Sequence, residues 1–221
     1  MKGIFISFEG IDGSGKSTQS RKLYHWLKRK GYDISYLKEP GGSNLGEKIR
    51  KILLHSHYEI EGFSELFLFL AARSQLAKET ILPSLRKGKI VIIDRFSDST
   101  LAYQGYGRGI DKNLVTKLNR VVTKGITPDL TILLDERPEA TLKRTKSGKD
   151  RFENESLSFH QRVRKGYLKI ALGNKKRMKT IPVRADEDET FQEIKKAVIP
   201  YLQKYMKLQN KEDTKKKLNM E

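Results

Sequence analysis

The sequence predicts an α/β domain in which five parallel strands form one sheet with helices on both faces. Strand-like apolar runs alternate along the chain with segments whose apolar residues recur at helical spacing, and this order is typical of parallel sheets. The run Ile90–Asp94 is apolar up to its final charge, as in a strand buried on both faces. A glycine-rich loop separates the first apolar run from the first helical segment.

The first half of the chain predicts three strands, at residues 3–8, 34–37 and 90–94. Helices are predicted at residues 17–30, 44–54 and 62–87, the first ending at Gly31 and the third at Gly88. Pro83 is expected to kink the third helix or to begin a separate turn. Asn44 is expected to cap the second helix. Its inward side chains are expected to be Leu45, Ile49, Ile52 and Leu53.

The second half predicts strands at residues 130–135 and 178–183. Helices are predicted at residues 97–103, 112–124, 138–145, 155–172 and 189–206, with a glycine-rich loop at 105–109. Asp111 is placed to cap the second of these helices, and Pro138 suits the first turn of the third. Residues 1–208 are therefore expected to form one domain with a short lid at about 144–153. Residues 209–221 are polar and lysine-rich, and a flexible tail is predicted there.

The composition of the 221 residues narrows the class of protein. There is no cysteine, which excludes disulfide and thiolate chemistry and suits the cytoplasm, where we expect the protein. No apolar run approaches the roughly 18 residues of a membrane-spanning helix, and no signal-peptide pattern precedes the first strand. The four histidines lack the spacing of a zinc site. We therefore expect no membrane partner and no structural metal.

The formal net charge of +18 has two interpretations. A strong basic bias is the usual footprint of a nucleic-acid-binding protein. Alternatively, it is a solvated basic surface that also attracts anionic nucleotides. Lysines are spread along the whole chain, and aromatic residues do not alternate with them as a base-stacking surface would require. The second interpretation is preferred, and no specific nucleic-acid partner is expected.

The glycine-rich loop fits the pattern G-x-x-x-x-G-K-[ST] at residues 10–17 without a mismatch. A predicted strand precedes it and a predicted helix follows, which is the context that this phosphate-binding pattern requires. Glycines let successive N–H groups turn inward toward phosphate oxygens, and the helix N-terminus adds its positive dipole end. Lys16 is expected to reach the β- and γ-phosphates, and the Ser17 hydroxyl to ligate Mg²⁺. The alternative is an ordinary glycine turn.

Other polar residues also follow the ends of predicted strands. They are Lys38-Glu39-Pro40, Asp94-Arg95 and Asp135. In parallel sheets, ligands bind beyond the carboxyl ends of the strands. The sequence therefore places these residues and the glycine loop around one site.

At this point the chain, from about Ile4 to Leu202, resembles the bacterial-type thymidylate kinases. The resemblance is carried by an ordered set of motifs, namely residues 8–18, Glu39-Pro40-Gly41-Gly42 with Gly46-Glu47 and Arg50, Phe69-Leu70-Ala71-Ala72-Arg73, Asp94-Arg95, Ala102-Tyr103-Gln104-Gly105 and Asp150-Arg151-Phe152-Glu153. It implies a P-loop NTPase fold of the nucleoside monophosphate kinase type. It also implies phosphorylation of dTMP to dTDP with ATP and Mg²⁺ by an enzyme that is usually a homodimer.

The resemblance implies two sets of binding residues. For ATP they are Gly10, Ile11, Asp12, Gly13, Ser14, Gly15, Lys16, Ser17 and Thr18, with the lid cations Arg144, Lys146 and Lys149. For dTMP they are Asp12, Glu39, Pro40, Phe69, Arg73, Arg95, Ser99, Tyr103 and Gln104. Ser17 and Asp94 are the implied metal-binding residues. Lys16, Arg95, Arg151 and Asp94 are the implied catalytic residues.

The implied contacts with the sugar and phosphate have structural alternatives. Asp12 would contact the 3′-hydroxyl, or it merely forms a turn. Arg95 would hold the dTMP phosphate with its two-pronged guanidinium, or it forms an ion pair with Asp94. Asp94 would act on Mg²⁺ through water, or orient Arg95. Tyr103 would pack against the sugar and crowd out a 2′-hydroxyl.

The implied contacts with the base come from two helices. Phe69 and Arg73 are four residues apart and share one helix face, so Phe69 can stack on thymine while Arg73 donates to its edge. The alternative is a core phenylalanine beside a surface arginine. Ser99, one helical turn before Tyr103, and Gln104 are also expected to contact the base.

The lid is expected to supply positive charge, because Gly13 stands where some family members have a basic residue. Phosphoryl transfer needs positioning and charge neutralisation more than covalent help. The lid is shorter than is usual in the bacterial pattern, with Ser147 where arginine is common. Arg144, Lys146, Lys149 and Arg151 are candidates, and Arg151 is predicted to be the catalytic cation. Alternatively, the group is a solvated basic loop.

Two other functions compete with thymidylate kinase activity. One is another (d)NMP or deoxynucleoside kinase, since these share the phosphate loop and an Asp-Arg pair. The other is a nucleic-acid-binding P-loop ATPase, suggested by the net charge. Phe69 with Arg73, and Tyr103 with Gln104, favour thymidylate kinase over the first. The lack of a recognisable DNA-binding module disfavours the second.

Overall fold

A computed structural model describes residues 3–144 and 150–218. Five strands form one parallel sheet in the order β2-β3-β1-β4-β5. The strands are β1 Ile4–Glu9, β2 Ile34–Lys38, β3 Ile90–Asp94, β4 Leu130–Asp135 and β5 Met178–Pro182. This confirms the predicted fold class, and each strand lies within one or two residues of its predicted position.

Helices follow the strands and cover both faces of the sheet. They are α1 Lys16–Arg29, α2 Asn44–His55, α3 Gly62–Leu76, α4 Leu82–Arg86, α5 Ser97–Thr100, α6 Lys112–Val122, α7 Pro138–Arg144, α8 Leu157–Gly173 and α9 Glu187–Leu218. Two π-helical turns, Ala77–Ile81 and Leu101–Gly107, join α3 to α4 and extend α5. None of the helices in the described part of the chain is both long and apolar enough to cross a membrane.

The two faces of the sheet build two cores from alternate residues of the same strands. Ile6 and Ile92 pack with α1 and α9, whereas Phe5 and Val91 pack with the helices after α2. Successive side chains of a strand point to opposite faces, so a strand with two covered faces must be apolar throughout. This is why β1, β3 and β4 appear in the sequence as continuous apolar runs.

The strand register brings the predicted site residues to one edge. In the β1–β3 pair Phe8 lies opposite Asp94, and in the β2–β3 pair Lys38 lies opposite Asp94. The three strands β1, β2 and β3 therefore end at the same edge of the sheet. The phosphate loop, Glu39 and Arg95 follow these strand ends and lie next to one another there.

Several local predictions were wrong. Ser43, not Asn44, caps α2, and its hydroxyl accepts from the Gly46 N–H at 3.0 Å. Leu45 and Ile52 are not inward, because 46% and 39% of their surfaces are exposed. By contrast, the second alternative given for Pro83 is confirmed, since it lies in the first turn of the separate helix α4, where its missing N–H is harmless.

The segment after α5 is more helical than predicted. The π turn continues to Gly107, so the expected loop at 105–109 is reduced to its last residues. A side chain at Gly107 would come within 2.7 Å of the Phe159 ring, which shows how closely this turn approaches α8. Glycine there serves close packing between helices and not a loop. Asp111 caps α6 as predicted, accepting from the Leu114 N–H at 2.7 Å.

The last helix is longer than predicted at both ends. It begins at Glu187 and its backbone remains helical to Leu218, so most of the segment predicted as a tail continues α9. The flexibility of that segment stays a prediction. The central part of the predicted lid, residues 145–149, lies outside the described residues.

Candidate active site

A cavity of about 470 Å³ opens at the carboxyl ends of β1, β2 and β3. It is bounded by the phosphate loop, the start of α1, α3, and the turn that extends α5. All nine residues predicted to bind dTMP line it, namely Asp12, Glu39, Pro40, Phe69, Arg73, Arg95, Ser99, Tyr103 and Gln104. The structure therefore brings together side chains that the sequence scatters over more than ninety positions.

The phosphate loop wraps the beginning of α1. Gly13 and Gly15 have φ angles of 74° and 82°, a left-handed conformation that glycine adopts without strain. The Lys16 ammonium group donates to the Ile11 carbonyl at 2.6 Å and so lies across the loop. Burial, assisted by the charge of Arg95, lowers the pKa of Lys16 to about 8. Lys16 lines the cavity, and an anion bound beside it would raise its pKa again, against the effects of burial and of Arg95.

Ser17 and Asp94 meet where α1 begins and β3 ends. The Ser17 hydroxyl donates to a carboxylate oxygen of Asp94 at 2.5 Å. Asp94 is 1% exposed and lines the cavity. Two hard oxygen ligands are thus adjacent beside the phosphate loop. Such a pair suits Mg²⁺, which usually keeps several waters and takes only one or two protein oxygens.

Arg95 makes five side-chain hydrogen bonds at the cavity wall. Its φ of 73° is unusual for a residue with a side chain. One prong of the guanidinium donates to the Gly10 carbonyl at 3.0 Å, and the other pairs with Asp12. The interpretation that Arg95 pairs with Asp94 is therefore wrong, because Asp94 is occupied by Ser17.

Asp12 and Tyr103 complete this cluster. The Tyr103 hydroxyl donates to Asp12 at 2.6 Å, and its ring lies 5.0 Å from the Arg95 guanidinium carbon. Burial opposes the charge of Asp12, but Arg95 and Lys16 outweigh it and hold the pKa of Asp12 well below its ordinary value. Asp12 is therefore an anion at the cavity wall rather than only a turn residue.

The sequence analysis missed two residues that contact the predicted site residues. Tyr167 of α8 accepts from Arg95 at 3.2 Å and lies 2.7 Å from the Ser99 hydroxyl. Glu9, the last residue of β1, accepts from Ser99 at 2.5 Å and from the Phe96 N–H at 2.9 Å. Glu9 is a charged residue at the end of an apolar strand, and this pattern could have identified it from the sequence. Nothing in the local sequence marks Tyr167.

Burial is the largest influence on the pKa of Glu9. Together with the nearby charge of Asp98 it raises the pKa of Glu9 to about 8. The carboxyl group is thus mostly protonated at neutral pH and can donate as well as accept. Ser99, which it holds, was predicted to contact the base. Its hydroxyl is committed to Glu9, Arg95 and Tyr167 in this structure.

Arg73 is buried, with 1% of its surface exposed, and each of its five N–H groups has an acceptor. Glu39 accepts two of them at 2.8 and 2.6 Å. The other three acceptors are Thr100, Asn119 and the Phe96 carbonyl. The alternative of a surface arginine is therefore wrong. A contact of Arg73 with a base requires one of these partners to be exchanged, and this role stays a prediction.

Aromatic side chains line the cavity opposite the phosphate loop. The Phe69 ring is half-buried and lies 5.7 Å from the Phe152 ring, which in turn lies 5.8 Å from Tyr103. Gln104 lies beside them, 1% exposed, with its amide nitrogen donating to Glu65 at 2.8 Å. This part of the cavity offers ring surfaces and one amide, as a planar heterocycle requires.

Arg151 does not face this cavity. Its guanidinium forms an ion pair with Glu65 at 2.6 Å and donates to the Leu53 carbonyl at 3.1 Å. It lines a second, open cavity beside residues 56–62. Its role as the catalytic lid cation stays a prediction, and it requires the side chain to leave these partners. The other candidates, the Arg144 side chain, Lys146 and Lys149, lie outside what the structure describes.

The fold and the cavity define a class of protein. A parallel sheet with a glycine loop, a lysine and a serine–aspartate pair at its edge is the phosphate-binding half of a P-loop NTPase. The aromatic and arginine-lined extension of the same cavity provides room for a second ligand with a ring and an anionic group. The class is therefore a P-loop enzyme with two adjoining ligand positions.

Comparisons with known proteins agree. The family model described as thymidylate kinase matches residues 8–194. A thymidylate kinase from Oleidesulfovibrio alaskensis is 48% identical over 88% of this chain and 97% of its own length. One from Thermoanaerobacter sp. is 45% identical over 93% of this chain and 100% of its own. The crystal structure of thymidylate kinase from Ehrlichia chaffeensis superposes with a TM-score of 0.75 at 37% identity, over 90% of this chain and 99% of that one.

The chain belongs to the thymidylate kinase family. It is an enzyme of nucleotide biosynthesis, and the activity of the family, phosphorylation of dTMP, is its function. The resemblance drawn from the motifs is thereby confirmed.

Proposed function

We propose that this enzyme transfers the γ-phosphoryl group of ATP to dTMP, with ATP on the phosphate loop and dTMP in the arginine-lined part of the cavity. One observation carries the proposal. Lys16 of the loop and Arg95 lie on the walls of a single cavity, so two phosphate-bearing ligands can approach each other end to end. Positioning of this kind is the main requirement of phosphoryl transfer.

The triphosphate is held by the loop residues 10–18. Their N–H groups and the α1 dipole surround the β- and γ-phosphates, and Lys16 exchanges the Ile11 carbonyl for phosphate oxygens. Arg144, Lys146 and Lys149 remain the proposed lid contacts to ATP. Arg151 stays the predicted catalytic lid cation, a role that requires it to leave its ion pair with Glu65 when ATP binds.

Ser17 and Asp94 fit a magnesium ion. Their adjacent oxygens have the chemistry that the ion prefers, and the described residues contain no cluster of three or more acidic, histidine or cysteine ligands that would form a separate cage. When bound, the ion neutralises charge on the phosphates. Ser17 at the start of α1 and Asp94 at the end of β3 would hold it there.

The monophosphate is held by Arg95. Its pairing with Asp12 preorganises the guanidinium, and an incoming dianionic phosphate replaces that carboxylate. Asp12 is then free to accept from the 3′-hydroxyl of the sugar. Tyr103 packs against the ring of the sugar where a 2′-hydroxyl would lie. Glu39 and Pro40 close the side of the cavity next to β2.

The base occupies the aromatic part of the cavity. Phe69 stacks on it, and Gln104, Ser99 and Arg73 are the polar groups at its edge. In the reaction an oxygen of the dTMP phosphate attacks the γ-phosphorus of ATP while the bond to the β-phosphate oxygen breaks. The enzyme supplies charge and alignment through Lys16, Arg95 and Asp94, and no covalent intermediate is needed.

The assembly proposed is a homodimer in the cytoplasm. Helix α3 packs against both α2 and α6, and the three helices expose large apolar side chains, namely Leu45 and Ile52 of α2, Phe63 and Phe67 of α3, and Leu114 and Val121 of α6. Contiguous exposed apolar side chains mark association surfaces. Sedimentation velocity checks this, since Phe67→Glu, at a side chain 56% exposed, should convert a dimer into a monomer.

Steady-state kcat/KM on dTMP, dUMP, UMP and AMP tests the function. A cavity filled by the thymine methyl gains roughly 1–3 kcal/mol, so dUMP should be about 10–200-fold poorer than dTMP. UMP should be poorer still because its 2′-hydroxyl meets Tyr103, and AMP should fail. If AMP or UMP matches dTMP, the enzyme is a general nucleoside monophosphate kinase instead.

A further inference from the structure

Gln104, at the base end of the cavity, is held by a buried carboxylate that lies outside the cavity wall. Glu65 of α3 is 0% exposed. One of its oxygens accepts from the Gln104 amide at 2.8 Å and from Arg108 at 3.2 Å. Its other oxygen accepts from Arg108 at 3.0 Å and pairs with Arg151 at 2.6 Å. Both oxygens therefore face donors only.

This arrangement decides which way the Gln104 amide points. A carboxylate between two arginines accepts hydrogen bonds and has no proton to donate. Gln104 must therefore turn its NH₂ group toward Glu65, because the reverse orientation would oppose two oxygen atoms at 2.8 Å. The side-chain carbonyl oxygen of Gln104, which receives no hydrogen bond within the described residues, is left to face the cavity that the residue lines.

We propose that Glu65 is a positioning residue that fixes Gln104 so that the enzyme admits pyrimidines with a proton on N3 and rejects cytosine. Thymine and uracil present an N3–H donor to the fixed carbonyl oxygen. Cytosine presents a lone pair at N3 and a donor at N4, where thymine has an acceptor. A freely turning amide could accept from the N3–H of thymine or donate to the N3 lone pair of cytosine, so at N3 it would not distinguish the two bases. The inference rests on the proposed function, because it needs a pyrimidine monophosphate in this cavity.

The variant Glu65→Gln tests this directly. The amide introduced by this substitution can donate to the side-chain carbonyl of Gln104, so both orientations of Gln104 become available. We would measure Kd for dTMP, dUMP and dCMP by calorimetry without ATP, and kcat/KM with ATP. The preference for dTMP over dCMP should fall by about tenfold or more, the effect of matching or mismatching one buried hydrogen bond. The preference for dTMP over dUMP should stay the same, since the amide does not contact the methyl group.

A matched control disturbs the same cluster without changing what Gln104 faces. Glu155 also pairs with Arg108, at 2.5 Å, so Glu155→Gln removes one charge but leaves the Glu65 carboxylate in place. Both preferences should remain those of the wild type. If Glu65→Gln alone does not fold, the double variant Glu65→Gln, Arg108→Gln keeps the net charge of the cluster and carries the same expectation.

The possible results distinguish a failure of this inference from a failure of the proposed function. A wild-type enzyme that takes dCMP as readily as dTMP overturns the inference without any variant. A folded Glu65 variant whose preference for dTMP over dCMP is unchanged also overturns it. The same holds if the preferences for dTMP over dCMP and over dUMP fall equally, because that result indicates a general loss of order in the cavity. A wild type that prefers AMP or UMP overturns the proposed function itself.

Discussion

Glu65 and Arg151 form an ion pair of 2.6 Å in which the carboxylate is completely buried. The pair ties α3 to the segment that follows residue 149. The Arg151 N–H also donates to the Leu54 carbonyl at 3.1 Å, which adds α2 to the junction. Arg151 therefore anchors the end of the lid region to the two helices that flank the base end of the cavity.

The first prediction concerns this anchor. Arg151→Ala leaves Glu65 with Arg108 as its remaining cation, and the loss of one partner should lower the free energy of unfolding by about 1–3 kcal/mol. Arg151→Lys keeps the charge and should recover part of it. Chemical denaturation measures the loss, and kcat is measured well below the melting temperature. A large drop in kcat with unchanged stability would instead favour the predicted role of Arg151 as the catalytic cation.

The second prediction concerns the phosphate loop. Lys16→Ala removes the ammonium group that crosses the loop, and kcat should fall about 10²-fold or more because charge developing on the phosphates loses its partner. Lys22→Ala, on the same helix, is the control. Its ammonium pairs at the surface with Glu187 and Asp188, so kcat should not change. Near wild-type turnover of Lys16→Ala would contradict the placement of ATP.

The third prediction is a pH dependence of stability at Glu9. Burial, with the charge of Asp98, raises the pKa of Glu9 from 4.5 to about 8. Between these values the folded protein keeps a proton that the unfolded chain has released. The contribution of Glu9 to the free energy of unfolding therefore falls as pH rises from about 4.5 to about 8, and is level outside that window.

Glu9→Gln removes the titration while keeping a neutral group that accepts from the Phe96 N–H. As pH rises from about 5 to about 8, the melting temperature of this variant should increase relative to that of the wild type. Glu193→Gln, at an exposed pair with Lys196, serves as the control and should track the wild type. Parallel curves for Glu9→Gln and the wild type would show that Glu9 is ionised in the folded protein.

The fourth prediction concerns the net charge of +18. Any binding to DNA should be weak, independent of sequence, and should fall by about tenfold or more between about 50 and 200 mM salt, as expected of contacts with phosphates alone. Fluorescence anisotropy with two unrelated duplexes of equal length measures it. Tight binding of one duplex at physiological salt would favour a nucleic-acid-binding function.

The phosphate loop is the part of the site that the sequence predicts most completely. Its glycines, lysine and serine are contiguous, so the chemistry and the local conformation are encoded in one short segment flanked by a strand and a helix. The strands were found for a related reason, since burial on both faces forces a continuous apolar run. The dTMP residues were reached through their resemblance to a family, because no local pattern joins Asp12 to Tyr103.

The sequence by itself determined the elements of this protein, the order in which they occur, and the end of the sheet where ligands bind, because these depend on neighbours in the chain. Only the tertiary structure decided the partners of the charged residues: Asp12 and not Asp94 for Arg95, and Glu65 for Arg151. Such pairs join residues far apart in the chain. Which carboxylate meets which arginine depends on how α3, α8 and the turn after α5 pack, and a buried charge takes the partner that packing leaves within reach.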